Sequence, residues 1–384
     1  MINLSKAWRL IFLLGLVSLF ADVTYEGARS IIPNYLTIVL GASVLILGTV
    51  TGLGEFLNYG LRLVTGPLSD LTKRYWLFTF MGYVVNLFAV PLLALTGNWQ
   101  SAAALIIVER MGKAIRAPAR DVIISNISKG IGRGKAFGVH EVLDQVGAIL
   151  GPSIAILALY FTKENYRYAF SVFALPALIA LSFLTVAYLF FKRHREELVA
   201  ERPSKEGRLG FKFWSYTLVI TLSTMGLMYI PFLIYRAGES RAMPEWIIPS
   251  LLLIAQAVDA LIAPFAGLAY DRVGLKSIFV IFPFTLAIPI FAYTPQASTL
   301  ILAATSLGVV MGVQETIERA AVADLSPVRA RGRAYGIFNA FLGLSLLLGG
   351  VVIGYLYSVS FTLIIVYAIA TQALAFIIAL FTLR

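Results

Sequence analysis

Long apolar runs, each near or above the length of a bilayer, alternate with short polar breaks along the whole chain. A helix needs roughly 20 apolar residues to cross the hydrocarbon core. On that measure the first half predicts spans over 8–39, 43–65, 76–96, 99–125, 134–160 and 166–191. The second half predicts them over 213–236, 245–267, 276–294, 297–322, 332–356 and 360–383. Lipid tolerates only helices and closed barrels, and these runs are far too long for barrel strands. The expected fold class is therefore an all-α membrane protein with 12 transmembrane helices. Several runs exceed the bilayer thickness, which predicts tilt or extension beyond it.

The polar breaks organise these spans. Residues 192–212 are charged, contain Pro203 and Gly207, and split the chain into nearly equal parts. The expected domains are a six-helix bundle over 1–191, a solvated linker over 192–212 and a second six-helix bundle over 213–384. Basic residues concentrate in one set of loops: Lys6, Arg9, Lys73, Arg74, Lys129, Arg133, Lys135, the linker, Arg272, Lys276, Arg329, Arg331 and Arg333. The opposite loops hold only Lys163, Arg167, Arg236 and Arg241. Positive charge stays on the cytoplasmic side, so both termini and the linker are expected to face the cytoplasm. The chain is expected in the cell (plasma or inner) membrane, crossing it many times. The first run begins at Trp8, is too long for a signal peptide and carries acids near its middle.

Composition narrows the chemistry. The chain is 59% hydrophobic and 13% charged, about half the charge of a soluble domain. Its net charge of +11 would suggest nucleic acid in a soluble protein; here loop orientation accounts for it, and the lipid bilayer is the expected partner. There is no cysteine, which excludes disulfides and thiolate metal sites. The two histidines, His140 and His194, are too few for most histidine metal centres. No phosphate-cradling G-x-x-x-x-G-K-[ST] loop is present, and the glycine-rich stretch 130–134 lacks dinucleotide-binding spacing. No cofactor or metal is expected, and no enzymatic activity. A catalytic role for His140 with Glu141 and Asp144 is the weaker reading.

An internal repeat relates the two halves. Gly66, Leu68, Asp70, Lys73 and Arg74 follow the second span; Gly267, Asp271, Arg272, Gly274 and Lys276 follow the eighth. The aspartates are offset by 201 positions. Gly134-Lys-Ala-Phe-Gly138 after the fourth span matches Gly332-Arg-Ala-Tyr-Gly336 after the tenth, offset by 198. Matches in the same order at nearly constant offset predict two parallel, pseudo-symmetric repeats of six helices.

On these residues the sequence resembles the major facilitator superfamily over essentially its whole length. The loop after the second span of each half is similar to the family's motif A, G-x-L-x-D-R-x-G-R-K. The second copy keeps Gly267, Asp271, Arg272, Gly274 and Lys276; the first keeps Gly66, Leu68, Asp70 and Arg74 but has Leu71 and Lys73 where arginine and glycine are usual. Without the turn glycine, the first loop is expected to be shaped differently. Gly147, Gly151 and Pro152 in span five resemble motif C of drug/proton antiporters, and Arg110-Met-Gly112 loosely resembles motif B. Charges in the motif A loops suit a gate that holds helix ends together, or serve only to set topology. Gly147 and Gly151 share one face and permit close helix approach, with Pro152 bending the helix; plain packing and an antiport role explain them equally well. The resemblance implies a transporter, normally a monomer, whose helices one, four, seven and ten line a cavity.

Ionisable groups within spans are costly and mark candidate sites. Asp22, Glu26 and Arg29 share a face of span one, and Glu55, Tyr59 and Arg62 have the same spacing in span two. Span four carries Glu109, Arg110, Lys113, Arg116 and Arg120. Span five carries His140, Glu141 and Asp144. The second half is sparser, with Asp259, Glu315 and Glu318, and span seven offers Met225, Tyr229 and a few hydroxyls, which predicts a largely apolar, aromatic wall. Arg116 and Arg120 are expected to snorkel or to pair with the motif A loop; Glu141 and Asp144 pair with the same bases or handle protons. Asp22 and Glu26 lie deepest, and two neighbouring carboxylates in low dielectric repel, which suits proton carriage unless Arg29 or Arg62 neutralises them.

These features lead to a proton-coupled antiporter exporting small amphipathic or cationic compounds. Its partners would be a small-molecule substrate and protons. The alternative is a carrier of a small organic anion or phosphorylated solute held by Arg29, Arg62, Arg110, Lys113 and Arg116. That alternative fails if these bases are fully paired with Glu55, Glu109, Glu141 and Asp144.

Overall fold

A computed structural model describes residues 4–128, 132–193, 207–327 and 330–383. Lys129, His194, Pro203, Arg329 and most of the expected linker lie outside the described residues. Among the described residues every regular element is helical. The first six long helices are α1 (Leu4–Arg29), α2 (Val44–Thr72), α3 (Tyr75–Leu95), α4 (Trp99–Ile127), α5 (Arg133–Phe161) and α6 (Tyr166–Lys192). The next six are α7 (Phe211–Glu239), α8 (Ser250–Val273), α9 (Ile281–Tyr293), α10 (Ala297–Asp324), α11 (Arg331–Val359) and α12 (Phe361–Thr382).

Among the described residues, ten stretches are long and apolar enough to cross a membrane by length and composition. One of them, Glu245–Tyr293, contains both α8 and α9. The remaining helix, α4, is long enough but carries Glu109, Arg110, Lys113, Arg116, Arg120 and Asp121. The twelve expected spans are thus all present as helices among the described residues.

Local chemistry sets several boundaries. Asn98 begins α4 by accepting the Ser101 amide, and Asn165 begins α6 by accepting those of Arg167 and Tyr168. Gln296 and Thr299 exchange side-chain and backbone bonds to open α10. Two spans are interrupted: α2 breaks at Leu61, and α7 unwinds between Met225 and Ile230 before restarting with Pro231 in its first turn.

Packing divides the chain into two units, one of residues 1–31 with 60–201, the other of residues 32–59 with 202–384. This division differs from the one expected from sequence in placing 32–59, which precedes the linker, with the second unit. The first half of α2 carries Gly48 where the backbone of Gly350 of α11 approaches it, and glycines allow such contact. In the first unit α1 packs chiefly on α5 and α6, and α3 on α4. In the second, α8 and α9 pack on α10, and α7 on α11 and α12.

The repeat reappears as a shared packing contact. In the first unit Gly147 of α5 lies against the carbonyl of Leu19 in α1. In the second, Gly349 of α11, offset by 202, lies against the carbonyl of Met225 in α7. A side chain at Gly349 would begin 2.6 Å from that oxygen. Next along α5, Gly151 faces the Gly27 amide and the Val23 carbonyl of α1, and Pro152 continues the helix.

The motif A turns correct one expectation in part. Lys73 adopts φ 55, ψ 18, so the first turn still enters left-handed conformation without its glycine. Gly274, the equivalent residue, takes φ 59, ψ −140, a region that only glycine visits readily. The two loops differ in ψ, as the missing glycine implies, yet both reverse the chain.

Gly147→Val and Gly349→Val are each expected to destabilise the purified protein by about 1–3 kcal/mol through overpacking. Gly134→Ala, at a position with open space around it, is expected to change little. Thermal unfolding in detergent reads all three.

Candidate functional site

The first unit brings polar side chains of four helices together. From α1 come Asp22, Tyr25, Glu26 and Arg29, which helical periodicity places on one stripe. Asp22, Tyr25 and Glu26 are buried. The Tyr25 hydroxyl donates to Asp22. Arg29 Nη1 donates to both Glu26 oxygens, at 3.1 and 3.2 Å. Of the two deep acids, Glu26 is thus the one paired with Arg29, while Asp22 bonds a phenol.

From α4, Lys113 places Nζ 4.1 Å from the centre of the Tyr25 ring. Its charge acts on Glu26 and Asp22. Arg116 is 1% exposed. Its guanidinium lies 4.3 Å from the Tyr83 ring of α3 and 5.7 Å from Tyr25. Two of its nitrogens, Nε and Nη1, have no hydrogen-bond partner among the described residues. Of the two expectations for Arg116, snorkelling or pairing with the motif A loop, this corrects the first: helix packing encloses it, and two aromatic faces replace water around the cation. Arg120 pairs with Asp121 at 2.9 Å and reaches Ser18 at 3.5 Å.

The remaining first-unit residues form smaller groups. Asn86 of α3 donates to Glu109 Oε1 at 2.6 Å and to its carbonyl at 3.1 Å. Arg110 Nε lies 3.2 Å from Glu109 Oε2. On α5, His140 Nδ1 sits 3.3 Å from Asp144 Oδ2. Asp144 also feels the charge of Arg120, and Glu141 is exposed.

The second unit holds most of the rest. Glu55 accepts from Asn58 at 3.2 Å. It lines a narrow cavity of about 20 Å³ with Thr51, Thr224 and Tyr229, room for roughly one water-sized occupant. Near the break in α7, Gln314 donates to Thr224 at 3.3 Å and Ser223 to Gln372 at 2.8 Å. These hydroxyls and amides make the region more polar than a largely apolar wall. Asp259 and Glu318 are buried, while Glu315 is exposed. In the motif A loops Asp70 is half-buried, and Arg74, Asp271, Arg272 and Lys276 are exposed. Tyr59 belongs to the second unit and Arg62 to the first. Among the described residues no group of three or more histidines and acids could hold a metal.

Tyr25, Tyr83 and Asn86 were not marked by charge. Tyr25 could have been found, since it lies three residues from Asp22 on the same stripe. Tyr83 and Asn86 acquire their roles only where α3 packs on α4.

Comparisons with known proteins agree with this architecture. The family model described as Major Facilitator Superfamily matches residues 12–258 and 218–384. An uncharacterized protein of Mycobacterium tuberculosis is 37% identical, covering 99% of this chain and 94% of its own. An uncharacterized MFS-type transporter of Methanocaldococcus jannaschii is 31% identical over 97% and 94%. The multidrug resistance protein MdtH of Photorhabdus laumondii is 24% identical over 83% and 79%. Among solved structures, a POT family transporter bound to a conjugated peptide matches with TM-score 0.77 at 14% identity, covering 98% of this chain and 95% of that one. The nucleoside transporter NupG matches with TM-score 0.75 at 14% identity, over 97% and 98%.

A double-mutant cycle of Arg116→Met and Tyr83→Leu is expected to show a coupling of about 1–2 kcal/mol, the scale of a desolvated cation–π contact. Tyr83→Phe, which keeps the ring, is expected to retain most of it. Unfolding of the purified variants measures the coupling.

Proposed function

The chain belongs to the major facilitator superfamily of membrane transporters, and we propose that it works as a proton-coupled antiporter exporting small amphipathic or cationic compounds. The observation that carries this reading is the pair of buried acids on α1, Asp22 and Glu26, with Lys113 over the ring of the neighbouring Tyr25. A carboxylate held in low dielectric by a phenol and a movable cation is suited to exchanging a proton for a positively charged substrate. Glu55, Tyr59, Glu109, Arg110, Asp144 and Glu315 are further candidates for coupling or binding.

Transport would proceed by rocking two six-helix bundles about a site near the membrane midplane. The charged loops at Asp70, Arg74, Asp271, Arg272 and Lys276 would gate it, and the close contact of Gly147 and Gly151 with α1 would transmit motion. The chain would act as a monomer in the cell membrane with both termini in the cytoplasm.

The fold alone selects no substrate, since the structural neighbours carry peptides and nucleosides. The name of the relative MdtH favours drug-like compounds. Pairing favours cations too: Arg29, Arg110 and Arg120 direct donors to carboxylates within the unit, which leaves less to clamp an anion. The organic-anion reading retains Arg116, whose Nε and Nη1 have no hydrogen-bond partner among the described residues.

The test is flux in proteoliposomes containing a trapped pH dye, challenged with lipophilic cations and organic anions. Cations are expected to drive proton movement that Asp22→Asn abolishes and Glu26→Gln abolishes or strongly reduces. Proton movement with anions only would overturn the export reading, and cation flux without a proton signal would overturn its coupling.

A further inference from the structure

Around Tyr25 the first unit has the parts of a recognition site for an organic ammonium. One aromatic face is taken by an ammonium at 4.1 Å from its centre, within the distance at which such groups attract. The phenol of that ring bonds Asp22, so the ring is anchored by an acid and its face is electron-rich. Glu26 lies one residue further along the same stripe, paired with Arg29. Asp22, Tyr25 and Glu26 are each no more than 6% exposed, whereas Lys113 is half-buried. The lysine lies over the Tyr25 ring, its charge acts on Glu26 and Asp22, and it is less buried than these three side chains.

We infer that Lys113 is a tethered stand-in for the substrate, filling a Tyr25–Asp22–Glu26 site that takes an organic ammonium when the lysine swings away. The ligand class follows from the chemistry: an aromatic face and two carboxylates select a positive, weakly hydrated nitrogen. Arg116, wedged between Tyr83 and Tyr25, is enclosed by packing and stays in place. Lysine suits the movable part because its flexible stem and compact charge leave without breaking a bidentate geometry. Competition between tether and ligand lets the site remain satisfied when empty, which avoids a buried uncompensated acid. This inference rests on the cation-export reading and assigns its binding site and the residue that competes for it.

The experiment is equilibrium binding of ethidium to the purified full-length protein in detergent, read by fluorescence. Lys113→Met is expected to lower the Kd about 10-fold, the scale of one cation–π contact regained by the ligand. Lys113→Gln provides a second neutral variant, expected to behave alike, and Lys113→Arg is expected to stay near wild type. Adding Tyr25→Leu to either neutral variant is expected to erase the gain. Unchanged or weaker binding in both neutral variants would overturn the stand-in role while leaving cation export standing. A gain that survives loss of the Tyr25 ring would overturn the aromatic site. Absence of ethidium binding in every variant would overturn this inference and the export reading together.

Discussion

A charge inside a hydrocarbon layer must be paired, shielded or placed against an aromatic face, because no water is there to solvate it. That requirement accounts for most of what the first unit does with its polar residues. Arg116 is nearly devoid of solvent contact and sits on Tyr83 and Tyr25. Glu109 takes an amide from Asn86, Glu26 takes Arg29, and Asp144 faces His140. Each partner comes from a neighbouring turn or a neighbouring helix, so the polar network and the helix packing specify one another. Removing a partner leaves the other charge buried with less to compensate it, which costs stability.

The backbone obeys the same solvent. Its polar groups are satisfied inside helices, which leaves van der Waals contact to hold the helices together. Close approach therefore falls to small residues. Gly147 against α1 and Gly349 against α7 place equivalent contacts in the two units, and the internal repeat is in that sense a repeated packing solution. Where α7 unwinds, hydroxyls and amides of Ser223, Thr224, Gln314 and Gln372 gather, consistent with irregular backbone in a membrane being tolerated only where protein covers it.

The proposed function meets this architecture at α1. A stripe bearing two acids and a tyrosine is held against α5 by glycines and is overlaid by a lysine from α4. The same geometry neutralises the acids and, in the exchange proposed above, supplies a neutralising group that is long and flexible. Family membership supplies the transporter scaffold, and the cationic ligand proposed for it rests on the chemistry of the α1 face.

The number of spans, their helical nature and the two-fold repeat were legible along the chain, because apolar length and periodicity are local properties that lipid enforces directly. So was the acidic stripe of Asp22 and Glu26, since spacing on one helix places residues on one face. Other features depended on which helices meet. Arg116 reads as a snorkelling surface base until α3 and α4 enclose it. Tyr83 and Asn86 carry no charge to mark them. Glu315 and Glu318 look alike in sequence, yet only Glu318 is buried. The grouping of 32–59 with the second unit likewise follows from side-by-side packing, not from position in the chain. Composition determines what must avoid water, and helical spacing offers a partner one turn away, as Arg29 is to Glu26; tertiary contact alone decides the partners that come from another helix.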